Sequence, residues 1–234
     1  MTHVIVNGRE VGCDAPVVPW EQSGLRFDGL RTRKETRAVV LHWTGGNGLA
    51  PQVYRTLRTR KNERGRVLGL SVQFVIEPNG TIYQFCDASA RCQHAGSIDD
   101  TNHDGLQESA NACTVGVEIV NPASSIANTR GIRRALVREE IHGVDQVATA
   151  FTAEQTASAI ALTRALCAAY GLPLVVPMDG DQVLSTVMPE AEFATFRGVL
   201  GHLNLTTRKR DPGLAILRAI GALTHRPSKP LDVI

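Results

Sequence analysis

The sequence has few aromatic residues, 5% of the chain, and almost no charge imbalance, with 25 Lys and Arg against 23 Asp and Glu. The basic residues are scattered and there are few rings to stack on bases, so no nucleic-acid partner is expected. No run is long and apolar enough to span a bilayer, and no membrane insertion is expected. The N-terminus, MTHVIVNGREVGCDAP, carries Arg9, Glu10 and Asp14 where a secretory leader needs an apolar core. We therefore read no signal peptide and expect synthesis in the cytoplasm, with any export by another route. Five cysteines, Cys13, Cys86, Cys92, Cys113 and Cys167, are odd in number and widely spaced, which argues against a disulfide scaffold or a Cys-x-x-Cys metal knuckle. Only Cys86 and Cys92 are candidates for pairing, and only in an oxidising compartment. Internal repeats and low-complexity segments are also lacking.

What is present is 234 residues, 43% hydrophobic, with a net charge of +2. That suits one globular domain with a sizeable core, or a domain with a long insertion. The mildly basic balance suits an anionic polymer, though weakly.

Val4 to Val11, with Asn7-Gly8 at its centre, predicts a β-hairpin with a primed turn. An extended arm follows to about residue 36, with Trp20 and Phe27 as its expected anchors. Ala38 to His42 is a β-branched strand, and Pro51 to Lys61 fits an amphipathic helix. Ser71–Ile76 and Thr81–Phe85 flank Glu77-Pro78-Asn79-Gly80 and predict a second hairpin. Thr114 to Asn121 is a strand whose period of two separates Val115, Val117 and Ile119 from Gly116 and Glu118.

The polar stretch 122–150 has no clear periodicity and reads as an insertion or long loop. Thr152-Ala-Glu-Gln155 is an N-cap signal for a helix ending at Gly171. Leu172–Val176 reads as a strand and 179–193 as a second loop with a short helix. A last helix follows Pro212-Gly213, over Leu214–Leu223. Alternating strands and helices point to an α/β (α+β) fold, a central mixed β-sheet flanked by helices.

Two separated stretches carry the chemistry. His42 ends a short apolar strand and is followed by Trp43, Thr44 and a Gly pair, and VLGHLNLTTRKRDPG places His202, Lys209 and Asp211 just before a Pro-Gly stop. A lone His is ordinarily a satisfied core or surface residue. Two imidazoles and one carboxylate, however, suit a borderline-soft divalent ion and leave a fourth tetrahedral position for water. Glu118 is the second element, because a carboxylate in an apolar strand is costly to bury unless a cation or a cleft compensates. Lys209, two residues before Asp211, could stabilise an oxyanion, although Arg208 and Arg210 beside it resemble an ordinary solvated basic face.

The pattern strand-His-x-Thr-Gly-Gly, Gly-His and Lys-x-Asp-Pro-Gly resembles the zinc-dependent N-acetylmuramoyl-L-alanine amidases, a family that also contains the peptidoglycan recognition proteins. The resemblance runs from about Arg37 to Leu217 and is nearest to the branch whose third ligand is Asp. It implies a single zinc ion held by His42, His202 and Asp211, with Glu118 as general base and Lys209 on the developing charge. It also implies that His94, in His94-Ala95-Gly96, lies near the substrate and not on the metal, with Trp43 and Thr44 shaping the groove wall. The remaining histidines, His3, His103, His142 and His225, read as surface residues. Ser71-Val72-Gln73-Phe74 lacks the Tyr that some relatives carry in that strand, which favours the Glu-based branch.

The resemblance implies a zinc-activated hydrolase that cuts the amide between N-acetylmuramic acid and L-alanine in peptidoglycan or a muropeptide. Three settings fit an enzyme of this kind: a phage or prophage lysin, an antibacterial effector, and a cytosolic recycling amidase for anhydro-muropeptides. The extra segments favour wall lysis, hence action on the cell wall after release, whereas a recycling enzyme would work in the cytoplasm. The rival outside enzymology is a non-catalytic peptidoglycan-binding module. The expected organisation is a hairpin and arm over 1–36, a catalytic domain over 37–225 with the insertion at 122–150, and a tail over 226–234. Oligomeric state is not legible.

Overall fold

The computed structural model describes residues 2–19, 25, 27–99, 101, 108–123 and 134–223. The chain opens with strands β1 (Thr2–Val6) and β2 (Arg9–Cys13), paired antiparallel around Asn7 and Gly8, whose φ values are 51° and 70°. That is the primed turn whose twist matches the strands it joins. The arm contributes β3 (Val17–Pro19) and β4 (Phe27–Leu30).

Phe27 is not an anchor, since it is 41% exposed, and Trp20 lies outside the described residues. The arm is held instead by buried Leu25 and by Arg31, which is 2% exposed. The Arg31 guanidinium donates to the carbonyls of Ala88 at 2.8 Å and Asn111 at 3.2 Å.

Next come β5 (Ala38–Gly45), helix α1 (Ala50–Thr59), β6 (Phe74–Ile76), β7 (Ile82–Gln84), β8 (Ala90–Cys92), the short helix α2 (Ala110–Cys113) and β9 (Thr114–Pro122). The stretch expected to be a loop at 122–150 contains a regular hairpin, β10 (Leu136–Ile141) with β11 (Val144–Thr149). Val137, Glu139 and Ile141 face inward there, so a charged residue occupies the middle of the buried row and conceals the strand's alternation. Residues 124–133 lie outside the described residues.

Helix α3 (Ala153–Tyr170) has the predicted ends: Thr152 and Gln155 form a reciprocal capping box, and Gly171 closes the helix at φ 66°. No strand forms over 172–176, where Pro173 has no N–H to donate to a ladder. Only Val175 meets the sheet edge, its carbonyl accepting from the Val199 N–H at 2.8 Å. The loop expected over 179–193 holds a minimal hairpin, β12 (Met178–Asp179) with β13 (Gln182–Val183), and helix α4 (Glu190–Thr195). The chain closes with β14 (Gly198–Gly201) and helix α5 (Leu214–Gly221).

Six strands form the mixed central sheet in the order β14-β5-β9-β6-β7-β3. The pairs β14/β5, β5/β9 and β9/β6 are parallel and β6/β7 is antiparallel. Strand alternation divides the core between the two faces. Val39, Leu41, Val115, Val117 and Ile119 pack under α3 and α5, against Leu162, Leu166 and Leu217. Burying a Leu such as Leu162, which is fully buried, contributes about 2 kcal/mol. On the other face Ala38, Val40 and Leu200 pack with Ala95 and Phe193, and Val75 and Val120 pack with Leu57 of α1. Among the described residues no helix is long and apolar enough to cross a membrane.

Candidate metal centre

Because β5, β9 and β14 run parallel, their C-terminal ends lie along one edge of the sheet, where α/β folds place their ligand crevices. His42 on β5 and Glu118 on β9 are register partners, so both side chains emerge on the face away from α3. β14 leads directly into a 3-10 turn, His202–Asn204, that delivers the second imidazole. Asn204 secures that turn: its Oδ1 accepts from the Gly201 N–H at 2.9 Å, and its Nδ2 donates to the carbonyls of Leu184 and Thr186 at 3.0 and 3.1 Å. The chain returns with Asp211, whose backbone carbonyl accepts from the Leu203 N–H at 2.9 Å.

Three donor atoms converge. His42 Nδ1 lies 3.0 Å from His202 Nδ1, and Asp211 Oδ2 lies 3.2 Å from each of them. All three residues are buried. Bonds of about 2.0–2.1 Å to a tetrahedral zinc ion require ligand atoms about 3.3 Å apart, so the triangle fits such an ion closely. The donor set fits as well, since two imidazole nitrogens facing each other beside a carboxylate have no better shared partner than a cation. Burial, and then repulsion from His202, pushes the His42 pKa down to about 4, leaving it a neutral ligand at ordinary pH. Burial opposes ionisation of Asp211, but hydrogen bonds from His202 and His42 outweigh it and hold the carboxyl well below its usual range.

His94 lines the cleft and also supports the centre. Its Nδ1 lies 2.9 Å from His42 Nε2, on the side of the ring opposite the ligand atom, and its Nε2 lies 3.4 Å from Thr114 Oγ1. An outer partner of this kind fixes the orientation and tautomer of a ligating imidazole. Burial, and then the His42 charge, holds the His94 pKa well below its ordinary value.

Two residues that the sequence reading did not single out place His94. Asn111 Oδ1 accepts from the backbone N–H groups of His94, Ala95 and Gly96 at 3.0, 2.8 and 3.1 Å. Gly116 leaves room for the ring, because a Cβ there would lie 2.7 Å from His94 Cγ. The only sequence signal for this role was a glycine in the middle of a central strand. The N-terminal arm enters the same network through Arg31, which holds the Asn111 carbonyl.

Glu118 is half-buried, and its Oε2 has no hydrogen-bond partner among the described residues. Burial, and then the Asp211 charge, pushes its pKa up to about 8. It stands in a cleft of about 560 Å³ with His42, His202 and Asp211, walled by Trp43, Thr44, Arg60 and Lys209. Thr44 also shapes the backbone there, its Oγ1 donating to the Gly46 carbonyl at 2.9 Å and accepting from the Asn121 N–H at 3.2 Å. Every residue expected at the site therefore lines this one cleft. His3 is exposed and His142 is half-exposed at a hairpin turn, where its Nε2 lies 2.9 Å from the Lys209 carbonyl, while His103 and His225 lie outside the described residues.

A parallel-stranded crevice thus brings together a His-His-Asp cluster with the donor set of a divalent-metal site and a carboxylate beside it. Residues 32–214 match the N-acetylmuramoyl-L-alanine amidase family, and the chain belongs to that family. No curated protein matches the sequence. Among solved structures, the chain is similar to the endolysin N-acetylmuramoyl-L-alanine amidase LysCS from Clostridium intestinale, with 20% identity and a TM-score of 0.47 over 86% of this chain and 90% of that one. AmpDh3 from Pseudomonas aeruginosa, in complex with an anhydromuramic pentapeptide, shows 16% identity and a TM-score of 0.46 over 86% and 63% of the two chains. Drosophila peptidoglycan recognition protein SA shows 14% identity and a TM-score of 0.46 over 88% and 90%.

Proposed function

We propose that the protein is a zinc-dependent hydrolase that releases the stem peptide from intact peptidoglycan by cutting the amide between N-acetylmuramic acid and L-alanine. The observation that carries this reading is the triangle of His42 Nδ1, His202 Nδ1 and Asp211 Oδ2 in one cleft with Glu118, whose Oε2 has no hydrogen-bond partner among the described residues. Zinc held by those three residues would supply a Lewis acid for the scissile carbonyl and lower the pKa of water.

Glu118 takes a proton from the attacking water and returns it to the departing amine of L-alanine. Its raised pKa belongs to the metal-free protein, and a dication nearby favours the ionised form that a base requires. Lys209 offers a positive charge from the cleft wall to the oxyanion that develops on the carbonyl. His94 keeps the ligating nitrogen of His42 turned toward the centre through the contact at Nε2. Arg60 adds positive charge to the wall, suited to a substrate rich in carboxylates.

The favoured setting is lysis of the cell wall by a phage or prophage lysin or an antibacterial effector, acting at the wall after release from the cytoplasm. Its support is the added chain, the arm before residue 37 and the hairpin-bearing segment between β9 and α3, which a bare recycling enzyme would not need. The test is mass spectrometry of intact peptidoglycan and of a small anhydro-muropeptide after incubation with the protein, with and without a chelator. Free stem peptides from intact wall, abolished by chelator, are expected. Cleavage of the small fragment alone would move the protein to recycling, and binding to the wall without cleavage of either substrate would make it a recognition module.

A further inference from the structure

The hairpin β10–β11 stands outside the central sheet and touches the metal centre's supports at both of its ends. At its base, Asn121 Nδ2 donates to the Thr149 carbonyl at 2.6 Å, and Arg134 donates to Asn121 Oδ1 at 2.9 Å. Asn121 belongs to β9, the strand that carries Glu118.

Farther along, Glu139, which is 4% exposed, accepts from the backbone N–H groups of Leu214 at 3.0 Å and Ala215 at 2.7 Å. These are orphan donors at the first turn of α5, and the N-cap residue, Gly213, has no side chain to satisfy them. A carboxylate there also complements the helix dipole. The contact is close: a Cβ on Gly213 would lie 2.5 Å from Glu139 Oε2.

The hairpin's turn makes a second grip. His142 and Gly143 take φ values of 55° and 71°, which brings the His142 ring to 2.9 Å from the Lys209 carbonyl, while the His142 N–H donates to the Ser185 carbonyl at 3.0 Å. Lys209 precedes Asp211 by two residues and Leu214 follows it by three. The segment that carries the carboxylate ligand is thus gripped on both sides by one hairpin, which is rooted on the Glu118 strand.

We propose that this hairpin is a brace for the metal centre, with Glu139 and His142 as positioning residues that hold Asp211 and Lys209 in place relative to Glu118. The proposal rests on the reading of His42, His202 and Asp211 as metal ligands. It accounts for a buried carboxylate that the chemistry of the cleft does not use and for the added length of chain between β9 and α3.

The test compares wild type with Glu139→Ala, Glu139→Gln and His142→Ala. Zinc affinity is measured by competition with a chromogenic chelator, kcat and KM on a muropeptide, and folding by thermal denaturation. Loss of a partner that orients a metal ligand costs about 10–100-fold in metal affinity or activity. Glu139→Ala is expected to weaken zinc by about that factor and to lower kcat with little change in KM, and Glu139→Gln, which keeps one acceptor, is expected to recover part of both. His142→Ala, at the turn and away from the core, is expected to stay folded and to show a smaller loss in the same direction.

A lower melting temperature in Glu139→Ala with zinc affinity and kcat unchanged would overturn the brace and leave Glu139 a helix cap only. If Glu139→Ala does not fold, His142→Ala decides, and unaltered zinc affinity and kcat in that variant overturn the proposal. Failure of the underlying metal reading looks different, because wild type itself would then bind no zinc, and both readings would fall together.

Discussion

His42 Nε2 and His94 Nδ1 lie 2.9 Å apart, and the glycine at position 116 is what lets the second ring occupy that place. The pair assigns the two nitrogens of His42 different tasks. Nε2 meets His94, and Nδ1 meets His202 and Asp211. Gly116→Ala is expected to push the His94 ring aside, to lower stability by about 1–3 kcal/mol as other overpacked sites do, and to weaken zinc binding as well. His94→Ala, which makes no steric demand, is expected to weaken zinc by about 10–100-fold with a smaller change in stability. Calorimetric zinc titration of both variants checks this. Wild-type affinity in His94→Ala would reduce that residue to a piece of the cleft wall.

Glu118 makes the metal-free protein sensitive to mild alkali. Its pKa, pushed from 4.5 in the unfolded chain to about 8 in the fold, means that the native state binds more protons than the unfolded state between those values. Stability therefore falls as pH rises through that window. His42 and His94, both held below the ordinary imidazole value, are neutral in the fold but half-protonated in the unfolded chain at pH 6.5, so each offsets about 0.4 kcal/mol of the Glu118 effect as pH rises to 8. From about pH 6.5 to 8 the loss from Glu118 is about 1–2 kcal/mol, using 1.36 kcal/mol per pKa unit. Urea denaturation in the presence of chelator should show it in wild type and not in Glu118→Gln. Equal slopes in the two proteins would mean that the Glu118 carboxyl is better solvated than its surroundings indicate.

On the proposed reading, the ligands and the base separate in function. Asp211→Ala is expected to abolish zinc binding at micromolar metal and, with it, amide hydrolysis. Glu118→Gln is expected to bind zinc as wild type does and to lose about 10²–10⁴-fold in kcat, the usual worth of a positioned acid-base group. Zinc content by atomic absorption, alongside stem-peptide release, reads both. Undiminished turnover in Glu118→Gln would remove that residue from the proton path.

Cys86 Sγ and Cys92 Sγ lie 3.5 Å apart as free thiols, at the start of the segment that leads to His94. Their mutual hydrogen bond, with burial, pushes the Cys86 thiol up, while the same bond and Ser71 hold Cys92 below its ordinary value. Treatment with oxidised glutathione is expected to produce one intramolecular disulfide between them and to leave the other three cysteines reduced. By the chain-entropy argument a loop of this length gains about 2 kcal/mol of stability. Peptide mapping by mass spectrometry checks the link, and glutathione adducts without a cross-link would show that the two sulfurs do not reach bonding geometry.

The sequence by itself determined the local structure where short-range chemistry decides. Asn7-Gly8 specified a primed turn, Thr152 and Gln155 a helix start, Gly171 its end, and the alternation of Thr114–Asn121 a strand with Glu118 on the face opposite Val115, Val117 and Ile119. It also singled out His42, His202 and Asp211 as candidate donors, since they sit in motifs with distinct local patterns.

The tertiary structure alone decided how those donors meet. His42 and His202 are 160 positions apart in the chain, and only the parallel pairing of β5 with β14 and β9 places them at one edge of the sheet. It decided the supporting groups as well. Asn111 and Glu139 show nothing unusual in composition or spacing, and Gly116 shows only that a glycine interrupts a strand, because each acts across the fold on backbone or ring atoms that no nearby residue reveals. The buried Glu139 even disguised its own strand, since a charge required by a distant helix end occupies a place where local periodicity calls for an apolar side chain.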